Sequence, residues 1–292
     1  MDYLRSFAPR LVAMVAGQIV QDGPMGGAAR NTPHPIRSAP APRPESDPLV
    51  RVENLYVGYD DRPVLRGVSV EVYPGEFVAV MGDNGSGKTT FLQCLLGLIK
   101  PEQGRVQVVG QDTQKASVSG LARQVGFVFQ NPDHQIFGDS VWQEAIFALQ
   151  NFSSLDGTTR TWVGELLTRG GLGDRREDHP YRLSYGEKRR LNLISVLGYA
   201  PRLLLVDEIL IGQDAGNAAF LLELLREQAE KGNAVILVNH APEITRRYAS
   251  RLLFFEGGQV VVDAPTDEGL RRLDSLGHSA YLPSCARAGG QP

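Results

Sequence analysis

The chain is poor in cysteine, in long apolar runs and in any excess of charge of one sign. Its two cysteines, Cys94 and Cys285, lie far apart, which argues against a disulfide framework or a cysteine-based metal cluster and suits a reducing compartment. No stretch reaches the roughly 18 consecutive apolar residues that a membrane-spanning helix needs. The nearest approach, residues 11–20, is broken by Gly17 and Gln18. Asp2 precedes that run and Gln21-Asp22-Gly23-Pro24 follows it, where a small-residue cleavage site would have to stand, so no export signal is expected. The 30 Lys+Arg and 33 Asp+Glu leave a net charge of −3, so no broad positive field draws the chain to nucleic acid, and no nucleic-acid partner is expected. What is present in quantity is apolar side chain, 42% of 292 residues, enough for a buried core in one large domain or two small ones.

Six prolines between residues 25 and 48, mixed with Ala, Arg and Ser, interrupt all apolar periodicity and mark a linker. From Leu49 onward short apolar runs alternate with helical patterns. Strands are expected at 50–57, 68–73, 77–81, 106–109, 125–129, 203–206, 234–238, 252–255 and 259–262, and helices at 88–98, 141–150, 161–167, 185–197 and 218–230. Several strands are apolar throughout, as strands buried on both faces of a mainly parallel sheet are. The class is therefore α/β, with a helix-rich insertion near residues 139–199.

Gly82-Asp83-Asn84-Gly85-Ser86-Gly87-Lys88-Thr89 fits a phosphate-binding loop, and it stands where such a loop must, after an apolar strand and at the start of a helix. Its glycines let successive backbone N–H groups close on phosphate oxygens, Lys88 supplies a point charge, and Thr89 offers a hydroxyl to Mg²⁺. Leu203-Leu204-Leu205-Val206-Asp207-Glu208 is a buried strand that delivers two acids at its carboxyl end, where open α/β sheets place their sites. Asp207 is read as the Mg²⁺ carboxylate and Glu208 as the group that takes a proton from attacking water.

With these two motifs in place the chain resembles the nucleotide-binding domain of ATP-binding cassette (ABC) proteins, whose other landmarks follow in order. The resemblance implies a P-loop cassette with a mainly parallel core sheet, an antiparallel β subdomain and a helical subdomain. It also implies ATP and Mg²⁺ as cofactors. Tyr59 stands where the family stacks an aromatic ring on adenine, and Thr90 follows Thr89 at the loop's end. Gln130, at a strand end, matches the glutamine that touches Mg²⁺ and the water. Leu183-Ser184-Tyr185-Gly186-Glu187 matches the signature, whose Ser184 and Gly186 meet the nucleotide of an opposing cassette, although Ser184 with Glu187 is also a generic helix-capping pair. Asp214 matches the loop that crosses between cassettes and His240 the γ-phosphate sensor. Metal contacts are thus assigned to Thr89, Gln130 and Asp207, and catalysis to Glu208, Gln130 and His240.

Asn131-Pro132-Asp133-His134-Gln135-Ile136-Phe137 narrows the resemblance to the ATPase subunits of energy-coupling-factor importers of vitamins and metal ions. Glu187 to Arg190, and Gly212-Gln213-Asp214, suit that branch as well. An Asn-Pro turn with a capping Asp accounts for Asn131 to Asp133 but leaves Gln135 to Phe137 unexplained. The implied partners are a transmembrane coupling subunit, docking near Ile136 and Phe137, and a second cassette, identical, separate or fused. The implied place is the cytoplasmic face of the cell membrane. The alternative, a soluble ABC ATPase acting on ribosomes or chromosomes, needs an interaction arm or a heptad tract that the cassette lacks, and a P-loop kinase would leave Gln130, Ser184 and His240 without a role. Two departures stand out. Tyr185 occupies a usual glycine position, and Ile209-Leu210-Ile211 replaces the usual Pro-Thr-Ser/Ala stretch; the first is expected to slow the ATP site built on this signature.

Residues 6–24 repeat residues 247–265 without gaps, matching Arg10/Arg251, Leu11/Leu252, Gly17/Gly258, Gln18/Gln259, Val20/Val261, Asp22/Asp263 and Pro24/Pro265. The second copy is the strand pair that ends an ABC domain. The organisation read from this is 1–24, the end of a preceding ABC domain; 25–48, a disordered linker; 49–270, the cassette; and 271–292, a tail. The chain is then expected to be the C-terminal half of a tandem two-cassette protein.

Overall fold

A computed structural model describes residues 10–15, 18–24, 46–59, 62–152 and 156–284. The chain divides into two units, Met1–Arg37 and Ser38–Pro292. In the first, β1 (Arg10–Val15) and β2 (Gln18–Pro24) pair antiparallel, with a register shift between Ala13 and Met14. Most of the expected linker, residues 25–45, and residues 285–292 of the expected tail lie outside the described residues.

The second unit opens with β3 (Val50–Tyr59) and β4 (Arg62–Val72), then β5 (Phe77–Gly82), α1 (Lys88–Leu95), β6 (Gln103–Val108), β7 (Gln111–Asp112), α2 (Val118–Ala122) and β8 (Val125–Val128). Three helices follow, α3 (Val141–Phe152), α4 (Gly157–Arg169) and α5 (Tyr185–Gly198). The chain returns through β9 (Leu203–Asp207), α6 (Ala215–Glu230), β10 (Ala234–Val238), α7 (Pro242–Tyr248), β11 (Arg251–Glu256), β12 (Gln259–Pro265) and α8 (Thr266–Ser275).

The main sheet runs β12-β11-β5-β10-β9-β8 and is parallel except for β12, which turns back antiparallel on β11. Every residue of β5, β9 and β10 is buried, which is why these strands read as unbroken apolar runs rather than alternations. A second, antiparallel sheet runs β4-β3-β6-β7. Its apolar residues, among them Leu55, Leu65 and Val106, share one core with Phe91 and Leu95 of α1. A separate core joins α3, α4 and α5 to the other side of the main sheet through Leu149, Leu167, Leu197 and Leu204. The parallel sheet, antiparallel subdomain and helical subdomain are thus all present.

All the expected strands and helices of this unit occur, with ends moved by up to six residues, the largest shift being the start of β4 at Arg62 rather than residue 68. Four elements lie outside those expected: β7, α2 and α7, of two, five and seven residues, are too short to carry a pattern, and α8 lies across residue 270, where the cassette is expected to end. Leu273 of α8 and Leu282 beyond it are buried with Phe254 of β11, so the packing of this unit runs past residue 270.

Candidate functional site

The sheet order sets β5, β10 and β9 side by side and parallel, so their carboxyl ends open on one edge. β5 delivers residues 82–88 there. Gly82 and Gly87 have φ of +140° and +103°, and a Cβ on Gly87 would lie 2.6 Å from Leu65 Cδ2; only glycine fits this turn. Lys88 is buried, and its ammonium donates to the carbonyls of Gly82 and Asp83 at 2.9 and 2.7 Å. Burial lowers the pKa of this ammonium, against the attraction of Glu208, Asp207 and Asp83. Among the described residues the buried Ser86 hydroxyl has no partner. A desolvated cation held only by carbonyls, an unpaired hydroxyl and a helix N-terminus together fit a phosphate group.

β9 brings Asp207 to the same edge, where its carboxylate accepts from the Thr89 hydroxyl at 3.2 Å. Burial raises the Asp207 pKa and the Glu208 charge adds to this, while Thr89, Lys88 and Arg189 pull it down. Among the described residues no three His, Cys, Asp or Glu converge on a cation cage. Mg²⁺ needs none, since it is commonly held by one or two carboxylates together with substrate phosphates. The adjacent Thr89 hydroxyl and Asp207 carboxylate are oxygen donors of the right kind.

Glu208 stands just past the strand in a left-handed conformation, φ +48°, which non-glycine residues adopt at a cost and mostly where function asks it. Its Oε2 accepts from Gln130 Nε2 at 2.6 Å, and its Oε1 lies 2.9 Å from His240 Nε2. Gln130 arrives from the end of β8 and His240 from the end of β10, so three neighbouring strand ends converge on one carboxylate. The three residues assigned to catalysis are therefore together, beside Asp207 and Thr89.

Other assigned residues are not brought to this cluster within the chain. Tyr59 is exposed at the end of β3, and Asn84 and Gly85 are exposed in the loop. Thr90 is the third residue of α1. Ser184 and Glu187 form a reciprocal capping box at the start of α5, so the generic reading of this pair holds whatever else Ser184 does. Gly186 faces Asn217, where a Cβ would come within 2.9 Å of the amide nitrogen. Asp214 caps α6, accepting from the Asn217 backbone at 2.9 Å. Of the Ile209-Leu210-Ile211 departure, Ile209 is wholly buried in the helical-side core, which accounts for an apolar residue there.

The run after Gln130 is pinned from both sides. Asn131 accepts from Asp133 N in the expected Asn-Pro turn, Asp133 pairs with Lys188 at 2.7 Å, and the Gln135 side chain bridges Phe129 N to the Asn192 carbonyl. Buried Glu144 accepts from the backbone of both Phe137 and Gly138 at 2.8 Å. Ile136 is buried, while Phe137 is 68% exposed and stacks on exposed Phe147 with centroids 5.8 Å apart. Of the two expected docking residues, Ile136 therefore belongs to the core and Phe137 alone faces out. One contact escaped the sequence altogether: Tyr281 donates its hydroxyl to Asp83 of the phosphate loop across 198 residues, a separation at which no local pattern gives a signal.

The family model for "ABC transporter" matches residues 65–210. A putative ABC transporter ATP-binding protein of Methanosarcina acetivorans is 36% identical over 84% of this chain and 40% of its own length. One from Vibrio vulnificus is 35% identical over 75% of this chain and 39% of its own. The chain thus spans about two fifths of the length of these curated relatives. Among solved structures, cbiO1 from Clostridium perfringens, part of the ABC transporter complex cbiONQ, superposes with TM-score 0.69 at 28% identity, covering 80% of this chain and 98% of that one. A dimeric ATP-binding cassette bound to ADP and Pi shares the fold, with TM-score 0.66 at 24% identity over 74% of this chain and 98% of its own.

Proposed function

Because the chain belongs to the ABC transporter family of ATP-binding domains, we propose that it binds Mg-ATP and hydrolyses it between two cassettes to drive an importer. The observation that carries this reading is the Glu208 carboxylate gripped by Gln130 and His240 beside the phosphate loop. Lys88 and the loop N–H groups hold the phosphates, Glu208 takes the proton of the attacking water, and Gln130 and His240 fix where that carboxylate points. Bound Mg²⁺ would neutralise phosphate charge, with Thr89, Asp207 and Gln130 as its protein contacts. In phosphoryl transfer positioning and electrostatics supply nearly all the rate gain. Ser184, Gly186 and Asp214 serve the nucleotide of the facing cassette, and Tyr59 takes the adenine.

The finer reading is an importer of the energy-coupling-factor type, carrying a vitamin or metal ion and working at the cytoplasmic membrane face. It rests on the Asn131 to Phe137 run and on the likeness to cbiO1. An exposed aromatic pair, Phe137 on a loop anchored by Glu144 and Phe147 on α3, suits a helix of a transmembrane subunit, since buried aromatic anchors commonly dominate an interface. Phe137→Ala is expected to lower copurification of the membrane subunit about tenfold or more while ATP binding stays unchanged. Unaltered assembly and solute uptake would overturn the docking role.

The tandem reading is supported by a second observation. β1 and β2 pair Arg10 with Pro24 and Val15 with Gln18, shifting register between Ala13 and Met14; β11 and β12 pair Arg251 with Pro265 and Glu256 with Gln259, shifting between Phe254 and Phe255. Every partner and the bulge coincide under the same offset that aligns the sequences, and bulges are designed features rather than accidents. The length of the curated relatives leaves room for two cassettes. Translating the DNA upstream of Met1 is expected to yield an in-frame phosphate loop and signature. A stop codon and ribosome site there, with full activity after deletion of residues 1–47, would overturn it.

A further inference from the structure

Arg189 is the largest wholly buried side chain of the described residues, with no exposed surface at all. Among the described residues its guanidinium makes no ion pair with a carboxylate, although its charge acts on Asp207 at longer range. Nη1 donates to the Phe129 carbonyl at 3.2 Å and Nη2 to the Tyr185 hydroxyl at 2.7 Å, and the group lies 5.1 Å from the centre of the Tyr185 ring. The buried Nε has no acceptor among the described residues. A buried cation resting on neutral acceptors is an expensive way to fill a helix face that leucine would fill better, so the arrangement asks for a use.

What the pair joins suggests that use. Tyr185 follows Ser184 at the first turn of α5, with Arg189 one turn on, the spacing at which side chains meet on a helix. Phe129 precedes Gln130, which holds Glu208. The other edge of the Tyr185 ring lies against the segment after Glu208, where a Cβ on Gly212 would sit 3.7 Å from Tyr185 Cε1. Tyr185 is still 45% exposed, beside the Ser184 face that the two-cassette reading turns toward the neighbouring nucleotide.

We propose that Tyr185 and Arg189 are positioning residues that link the signature turn to Gln130 and Glu208, so that nucleotide against Ser184 in one ATP site sets the catalytic carboxylate of the other. The inference rests on the two-cassette reading. It also gives the tyrosine at a usual glycine position a use: its hydroxyl completes a link that glycine cannot make. The guanidinium suits the task because its planar fork fixes two acceptors in one geometry, which a lysine ammonium does not.

The test uses the full chain, with Tyr185→Phe, which keeps the ring and removes one acceptor, and Arg189→Lys, which keeps the charge and loses the fork. At temperatures where each variant is folded, Tyr185→Phe is expected to lower kcat about fivefold or more, the scale of a coupling between sites. The link predicts a sigmoidal dependence on ATP in the unaltered chain, which should weaken in the variant while affinity for a non-hydrolysable ATP analogue stays unchanged. The double variant is expected to lose no more than the worse single one, because both break one link. A filler role would lower melting temperature but leave kcat and ATP cooperativity alone, and that result, or losses that multiply, overturns the link. Amide hydrogen exchange across residues 129–135 of the nucleotide-free chain reads the same link without hydrolysis. It should quicken in Tyr185→Phe, and unchanged exchange overturns the link even if the wild type proves inactive, an inactivity that would count against the hydrolytic reading itself.

Discussion

Glu208→Gln is expected to leave ATP binding unchanged and to lower turnover by about 10²-fold or more, the share that a positioned general base typically supplies. The substitution keeps the shape of the side chain and its place between Gln130 and His240 but removes the oxygen that can hold a proton. The left-handed backbone at Glu208 sharpens the expectation. A residue held in that conformation is fixed by its surroundings, with Glu208 N donating to the Val238 carbonyl at 3.1 Å, so neighbouring Asp207 cannot swing into its place. Asp207 is moreover engaged with Thr89 and buried. Phosphate release under saturating Mg-ATP, measured beside equilibrium nucleotide binding, separates the two effects. Near-normal hydrolysis in a preparation whose facing site is disabled would remove Glu208 from the role.

Legibility in the sequence followed locality. The phosphate loop and the Asp207-Glu208 strand end could be read because each is a short contiguous pattern with its strand or helix beside it. Their mutual placement is then forced by a parallel sheet whose strands end on one edge. Gln130 and His240 are ordinary residues at ordinary strand ends. Nothing in their own neighbourhoods marks them, and only family resemblance pointed to contacts that span 78 and 32 residues. Ile136 and Phe137 are adjacent and both apolar, yet one is buried and the other faces out. A loop has no periodicity to tell them apart, and the outcome depends on where Glu144 anchors the backbone. The Tyr185–Arg189 pair was accessible in principle from its one-turn spacing on α5. Its third member, the Phe129 carbonyl, was not, because a backbone oxygen leaves no trace in the sequence.

Gly82→Ala is expected to lower stability, and the reason lies in the sheet rather than in the loop. β11 lies beside β5 with Phe255 opposite Gly82, and a Cβ on Gly82 would sit 2.2 Å from the Phe255 carbonyl oxygen and 3.0 Å from Ser86 Oγ. The nearest obstacle is backbone, so no rotamer change relieves it. Either β11 moves off β5 or the loop changes path, and φ of +140° is itself a conformation that alanine resists. Together these are expected to destabilise the chain by about 3 kcal/mol, a fall in melting temperature of about 10 °C for a domain of this size. ATP binding should weaken as well, because the Gly82 carbonyl that holds Lys88 moves with the loop. Gly85→Ala is the internal control: its φ is also positive, at +80°, but a Cβ there would meet nothing within 4 Å, so only about 1 kcal/mol of backbone strain is expected. Thermal melts of the two variants side by side decide the matter. Equal losses would mean that the left-handed backbone, and not the contact with β11, makes Gly82 necessary.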